Sequence, residues 1–123
     1  MEIGMKQTAC VVVSTANVAA TMGSGDLDVF ATPAMVALME NAAMKAVAPA
    51  LPEGSTTVGA LMNTSHVKPS ALGDTVTATA VLTEVEGRKL TFEVRAEDSQ
   101  GLIGEGTHVR YIVDRERFLS KLR

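Results

Sequence analysis

Apolar residues follow two rhythms along this chain, and the change between them marks its organisation. Ala31–Ala48 (ATPAMVALMENAAMKAVA) is almost entirely apolar and rich in Ala, Met and Leu, so it predicts one helix. Thr32 followed by Pro33 predicts the start, an N-cap residue ahead of a proline at the first helical position. Pro49 and Pro52 predict the stop. Apolar side chains fall on every side of this helix (Met35, Val36, Leu38, Met39, Ala42, Ala43 and Val47), so it should be covered all round, most simply by a wrapping sheet. The small Ala43, Ala46 and Ala48 would let that sheet approach closely.

Beyond the helix the period drops to two. Thr56–Lys68 reads as a strand with a polar cluster, Asn63 to His66, near its end. Asp74–Val85 alternates Val76, Ala78, Ala80 and Leu82 against mainly threonines, and Lys89–Ala96 alternates Leu90, Phe92, Val94 and Ala96 against Thr91, Glu93 and Arg95. Glu86–Gly87 and Asp98–Gly101 are turn signals, and Leu102–Val113 is a last strand. Gln7–Val13 opens the sheet, and Asp114–Arg123 reads as a short charged helix. The order β–α–β–β–β–β, with alternating strand faces, predicts a single α+β domain over residues 1–123 with an antiparallel sheet.

Glu40 breaks the helical pattern. It shares a stripe with Val36, Ala43 and Val47, so its carboxylate is expected to point into the core. Burial opposes ionisation, so such a group needs a partner, a proton or a chemical role. A glutamate lining a wet cavity or a subunit contact is the plainer alternative.

Composition limits the possible functions. With 123 residues, 46% of them hydrophobic, the chain can bury a core. No apolar run is long enough to span a bilayer and no amino-terminal segment has the signal-peptide pattern, so a cytoplasmic protein is expected. A net charge of −3 gives no broad basic surface for nucleic acid. The single Cys10, in an apolar strand, is expected in the core. Two separated histidines and scattered carboxylates show no metal-ligand spacing, and no cofactor is implied. The polar connection Ala20–Asp28 contains glycine but lacks the lysine and spacing of a P-loop.

Three stretches carry a resemblance: VFATPAMVALMENAAMKAVAP, VGALMNTSHVKPSALGDTVTATAVLTEVEGRKLTFEV and IGEGTHVR. From about Val29 to Phe118 the chain resembles the hotdog-fold acyl-CoA thioesterases, and more narrowly the fluoroacetyl-CoA thioesterase group. The resemblance implies a hotdog fold, a curved antiparallel sheet wrapped around one long central helix. It implies a catalytic set at Thr32, Glu40 and His66, with Gly59 and Arg110 binding substrate. It also implies an acyl-CoA substrate and a homodimer with sites at the interface, leaving a dimer of dimers open. One position departs from the group: where the fluoroacetyl-specific member has an aromatic gate, this chain has a shorter, more polar loop near Asp26.

Thioester hydrolysis needs a nucleophile or a positioned water, a group to take its proton, and donors for the developing oxyanion. His66 could act as base, or as the acid for the departing thiolate. Glu40 could orient that imidazole or attack directly, and Thr32 could bind the carbonyl region or share in attack. Backbone amides at the helix start suit the thioester oxygen. The plain readings are that Thr32 caps the helix, that His66 ends a strand, that Arg110 is a solvated strand residue or contacts coenzyme A, and that Gly59 permits close packing. His108 is read as structural, and the seven methionines as core filler or a pliable acyl pocket.

Spacing sharpens the picture, because eight helical residues rise about 12 Å. Thr32 and Glu40 of one chain should therefore not touch, which leaves a bridging substrate or a site shared between subunits. Two other functions stay in view: an acyl-CoA-binding module without catalysis, and an enoyl-CoA hydratase. The second is disfavoured because the helix has neither histidine nor aspartate.

Overall fold

The computed structural model describes residues 1–123. Strand β1 (Lys6–Val12) is followed by a short helix α1 (Ala19–Met22), the long helix α2 (Thr32–Val47) and one 3-10 turn (Ala48–Ala50). Strands β2 (Ser55–His66), β3 (Thr75–Glu86), β4 (Lys89–Asp98) and β5 (Gly101–Asp114) come next, and helix α3 (Arg115–Ser120) closes the chain. All strand pairs are antiparallel, in the order β1-β3-β4-β5-β2. The α+β architecture, with one long helix against one antiparallel sheet, is as the periodicities predict. The short α1 within the polar connection is an addition.

Alternation fixes which strand face meets the helix. Val76, Ala78, Ala80 and Leu82 of β3, with Leu90, Phe92, Val94 and Ala96 of β4, are buried against Met35, Met39, Ala42, Ala43, Ala46 and Val47 of α2. Small residues set the spacing. A methyl on Gly104 of β5 would lie 2.7 Å from Met35 Sδ, so the helix sits against bare backbone there. The β3–β4 hairpin turns through Gly87 (φ 61°), a left-handed conformation that glycine adopts without strain. Register shifts at Gly59/Leu61, Leu82/Glu84 and Ala96/Glu97 interrupt the ladders, and such bulges bend strands.

Several local expectations are corrected. Ala31, not Thr32, is the N-cap of α2, and it makes no side-chain cap bond; Thr32 is the first helical residue. Ala48 leaves the helix and is exposed rather than packed under the sheet. The helix is not covered all round: Pro33, Ala37, Asn41 and Met44 form an exposed stripe, because a five-stranded sheet wraps one side only. Cys10 is exposed, since it sits on the edge strand with its side chain on the opposite parity from buried Ala9. The terminal helix is shorter than read, and Asp114 is its cap, with its carboxylate accepting from Arg117 N at 2.9 Å.

Candidate active site

The start of α2 is held by its neighbours rather than by its own cap. Ala31 N donates to Asn17 O at 2.9 Å, and Phe30 N donates to Ser70 O at 3.0 Å. The Thr32 hydroxyl, free of any capping role, lies 2.7 Å from His66 Nδ1 at the end of β2. His66 Nε2 is buried and has no hydrogen-bond partner. A cavity of about 290 Å³, lined by Phe30, Thr32, His66 and Lys68 among others, opens beside this pair. Burial lowers the His66 pKa from its ordinary 6.5, with the Lys68 backbone offsetting part of the effect. The ring is therefore neutral at physiological pH and able to accept a proton.

The segment that follows His66 is anchored from below. Asp98, with its side chain fully buried, accepts from Lys68 Nζ and from the Ser70 hydroxyl at 2.8 Å, and its other oxygen accepts from Gln100 N. Burial alone would raise its pKa, but these donors outweigh burial and hold the carboxylate below its usual range. Ser70 is the residue whose carbonyl receives Phe30 N, so this anchor reaches both sides of the Thr32–His66 contact. Asp98 reads in sequence only as a turn residue, and nothing in its local pattern marks the second role.

Glu40, Gly59 and Arg110 meet elsewhere. Arg110 of β5 is 6% exposed; its Nε donates to the Thr57 hydroxyl at 2.8 Å and its Nη2 to the Thr57 carbonyl at 3.0 Å. Its Nη1 reaches Glu40 Oε2 at 3.5 Å and His108 Nε2 at 3.2 Å. Burial lowers the Arg110 pKa, and Glu40 opposes that shift, so the guanidinium stays charged. Gly59 faces this group directly: a Cβ there would stand 2.7 Å from Glu40 Oε2. A smaller cavity of about 200 Å³ is lined by Glu40, Gly59, Ala60, Leu61, Met62 and His108.

Glu40 is thus not enclosed in the core, and in its own chain it does not lie beside His66. Its side chain is 41% exposed and its partner is Arg110. Of its predicted stripe, Ala43 and Val47 are buried, whereas Val36 and Glu40 sit at the margin where the sheet ends. The sequence-predicted residues therefore form two groups, Thr32 with His66 and Glu40 with Gly59 and Arg110. His108, which the sequence reads as structural, and Thr57, which nothing in the sequence marks, belong to the second group. Parity could have found them: residues 108 and 110, like 57 and 59, are two apart on a strand and share a face.

Both histidines are held neutral by burial, His108 more deeply and beside the positive Arg110. Unfolded histidine binds its proton near pH 6.5, and these rings bind it only at lower pH. Below that value the unfolded chain holds more protons than the folded one, so their stabilisation is complete above it and is lost as pH falls. The melting temperature is expected to drop between about pH 7.5 and about pH 5. The loss tied to Asp98 belongs below its ordinary pKa of 3.8, outside this window. A melting temperature flat across the window would contradict the neutral assignment.

Comparison with known proteins locates this architecture. The family model described as fluoroacetyl-CoA-specific thioesterase matches residues 13–116. The fluoroacetyl-CoA thioesterase of Streptantibioticus cattleyicolor is 44% identical over 96 residues, 78% of this chain and 69% of that protein. A solved structure of the fluoroacetyl-CoA thioesterase FlK superposes with a TM-score of 0.93 at 36% identity, covering 100% of this chain and 96% of that one. A thioesterase-superfamily protein from Thermus thermophilus gives a TM-score of 0.91 at 27% identity, covering 99% and 90% of the two chains. A hotdog sheet wrapped on a helix, matched over this length, leaves one assignment: the chain belongs to the fluoroacetyl-CoA-specific thioesterase family and is an acyl-CoA thioesterase.

Proposed function

We propose that the enzyme hydrolyses short or medium acyl-CoA thioesters with Thr32, His66 and Glu40, the last supplied across a homodimer. The observation that carries this reading is the 2.7 Å contact of the Thr32 hydroxyl with His66 Nδ1, beside a buried Nε2 that has no partner of its own. A neutral imidazole with one nitrogen on a hydroxyl can fix that hydroxyl's direction or draw its proton. When Nδ1–H donates to the hydroxyl, Nε2 is the acceptor and can take a proton from an attacking water and return it to the departing thiolate. When Nδ1 instead draws the hydroxyl proton, that same proton is the one returned to the thiolate. At the helix start, Thr32 and Ala34 carry backbone N–H groups with no carbonyl four residues earlier inside the helix, and Pro33 has no N–H at all. The oxygen of a thioester lying against this turn would gather negative charge near those donors.

Glu40 completes the set only if a second copy brings it. Within one chain it belongs to the other cavity, bonded to Arg110. The free edge of β2, where Leu61 is 51% exposed and lines that cavity, and the exposed stripe of α2 would both be covered by pairing two chains. In such a dimer the carboxylate of the partner subunit orients the imidazole or attacks the thioester carbon, and Gly59 and Arg110 hold the acyl and pantetheine regions. A cytoplasmic location is part of this proposal; no helix of the protein is long and apolar enough to cross a membrane.

The acyl group is not fluoroacetyl alone. The chain has only three phenylalanines, and Asp26, near the position of the aromatic gate, is exposed beside an exposed Leu27. A panel of acyl-CoAs in a thiol-release assay tests the assignment. Turnover of acetyl- to hexanoyl-CoA at rates comparable with fluoroacetyl-CoA is expected. Tight binding of every member without thiol release would replace the enzyme with a binding module.

A further inference from the structure

We propose that His108 is a positioning residue of the Glu40–Arg110 group, acting as a neutral imidazole that clamps the β2 bulge and aims the guanidinium. The proposal rests on the reading that this group serves thioester hydrolysis. His108 is 1% exposed, yet neither of its ring nitrogens is left to the core. Nδ1 lies 2.7 Å from the Leu61 carbonyl, which can only accept, so Nδ1 carries the hydrogen. Nε2 lies 3.2 Å from Arg110 Nη1, which can only donate, so Nε2 is the acceptor. The two contacts together fix one tautomer.

The placement of the Leu61 carbonyl gives this clamp its consequence. In the β2–β5 ladder Gly59 pairs with Arg110 and Leu61 with Val109, which leaves Ala60 opposite no residue. The bulge is where Gly59 comes closest to Glu40. One ring thus ties the backbone just after Gly59 to the guanidinium beside Glu40. The charged side chains facing it are Arg110 from β5 and Glu40 from α2; β2 presents the Leu61 carbonyl, and β4 presents Phe92, with ring centroids 6.1 Å apart. A second proton on the ring would face Arg110 head-on and break the clamp.

His108→Phe keeps the ring's bulk and removes both contacts; His108→Asn keeps a side-chain N–H for Leu61. For acyl-CoA hydrolysis, His108→Phe is expected to lower kcat by about 100-fold through misplacement of the site. KM should rise as well, by a smaller factor than kcat falls, because the displaced Arg110 and Gly59 are the groups that hold the acyl and pantetheine regions. His108→Asn is expected to recover part of kcat. Long-range 1H–15N spectra of the wild type should show the Nδ1–H tautomer, and the Arg110 Nε–H should exchange faster with solvent in His108→Phe. A folded His108→Phe protein with wild-type kcat overturns the proposal, as does an Nε2–H tautomer. If His108→Phe does not fold, the His108→Asn kinetics and the wild-type tautomer decide. Should the wild type release no thiol from any acyl-CoA, the hydrolytic reading fails, while the spectra and Arg110 exchange still judge the clamp.

Discussion

Glu40→Gln and His66→Ala are each expected to lower thiol release by about 10²- to 10⁴-fold, and an equal mixture of the two proteins to recover about one quarter of wild-type activity. The single losses follow from removing a charge or a proton acceptor from the bond-breaking step. The recovery follows from geometry. His66 holds Thr32 within one chain, whereas Glu40 of that chain lies in a separate cavity on Arg110. If each site takes its histidine from one subunit and its glutamate from the other, a mixed dimer has one site with both lesions and one site with neither. Random exchange makes half of the dimers mixed, and half of their sites are intact. The measurement is thiol release after the two variants are unfolded and refolded together, with each refolded alone as the control. A mixture no more active than its parents would place the whole site within one chain and remove the shared arrangement.

Gly59→Ala is expected to lower kcat by about 100-fold while leaving the protein folded. The added methyl would sit 2.7 Å from Glu40 Oε2 and 3.5 Å from Arg110 Nη1, so the ion pair has to open or β2 has to move. Neither the hairpin turns nor the main core depends on this position, and Gly59 has no positive φ that alanine could not adopt. Reduced freedom of the unfolded chain favours alanine by about 0.4–1 kcal/mol, which offsets part of the crowding. A melting curve beside the kinetic assay separates the two effects: near-native melting with poor turnover is expected. Wild-type turnover in the alanine variant would show that the close approach of Gly59 to Glu40 has no part in the reaction.

Much of the fold was legible because periodicity is local. The alternation Val76, Ala78, Ala80, Leu82 and its counterpart Leu90, Phe92, Val94, Ala96 identified both the strands and the face that turns inward. The chemistry-bearing residue types were legible too, because a glutamate in an alanine-rich helix and a histidine in a polar strand end stand out. Their partners were less so. Thr32 looked like a cap because Thr-Pro commonly is one, yet Ala31 holds that position and leaves the threonine hydroxyl to His66. Cys10 looked buried because its neighbours are apolar, yet a strand exposes every second residue.

From the sequence alone came the helix, the strands, the inward faces and the distance that keeps Thr32 from Glu40, since 1.5 Å per helical residue is a property of the backbone itself. Tertiary structure decided which residue meets which. The contacts Thr32–His66, Glu40–Arg110, His108–Leu61 and Lys68–Asp98 join positions 30 to 70 residues apart. Those contacts depend on the register of β2 against β5, on the bulge at Gly59/Leu61 and on where the sheet stops covering α2. Such long-range alignments are set by the packing of all the elements together, and no short stretch of residues encodes them.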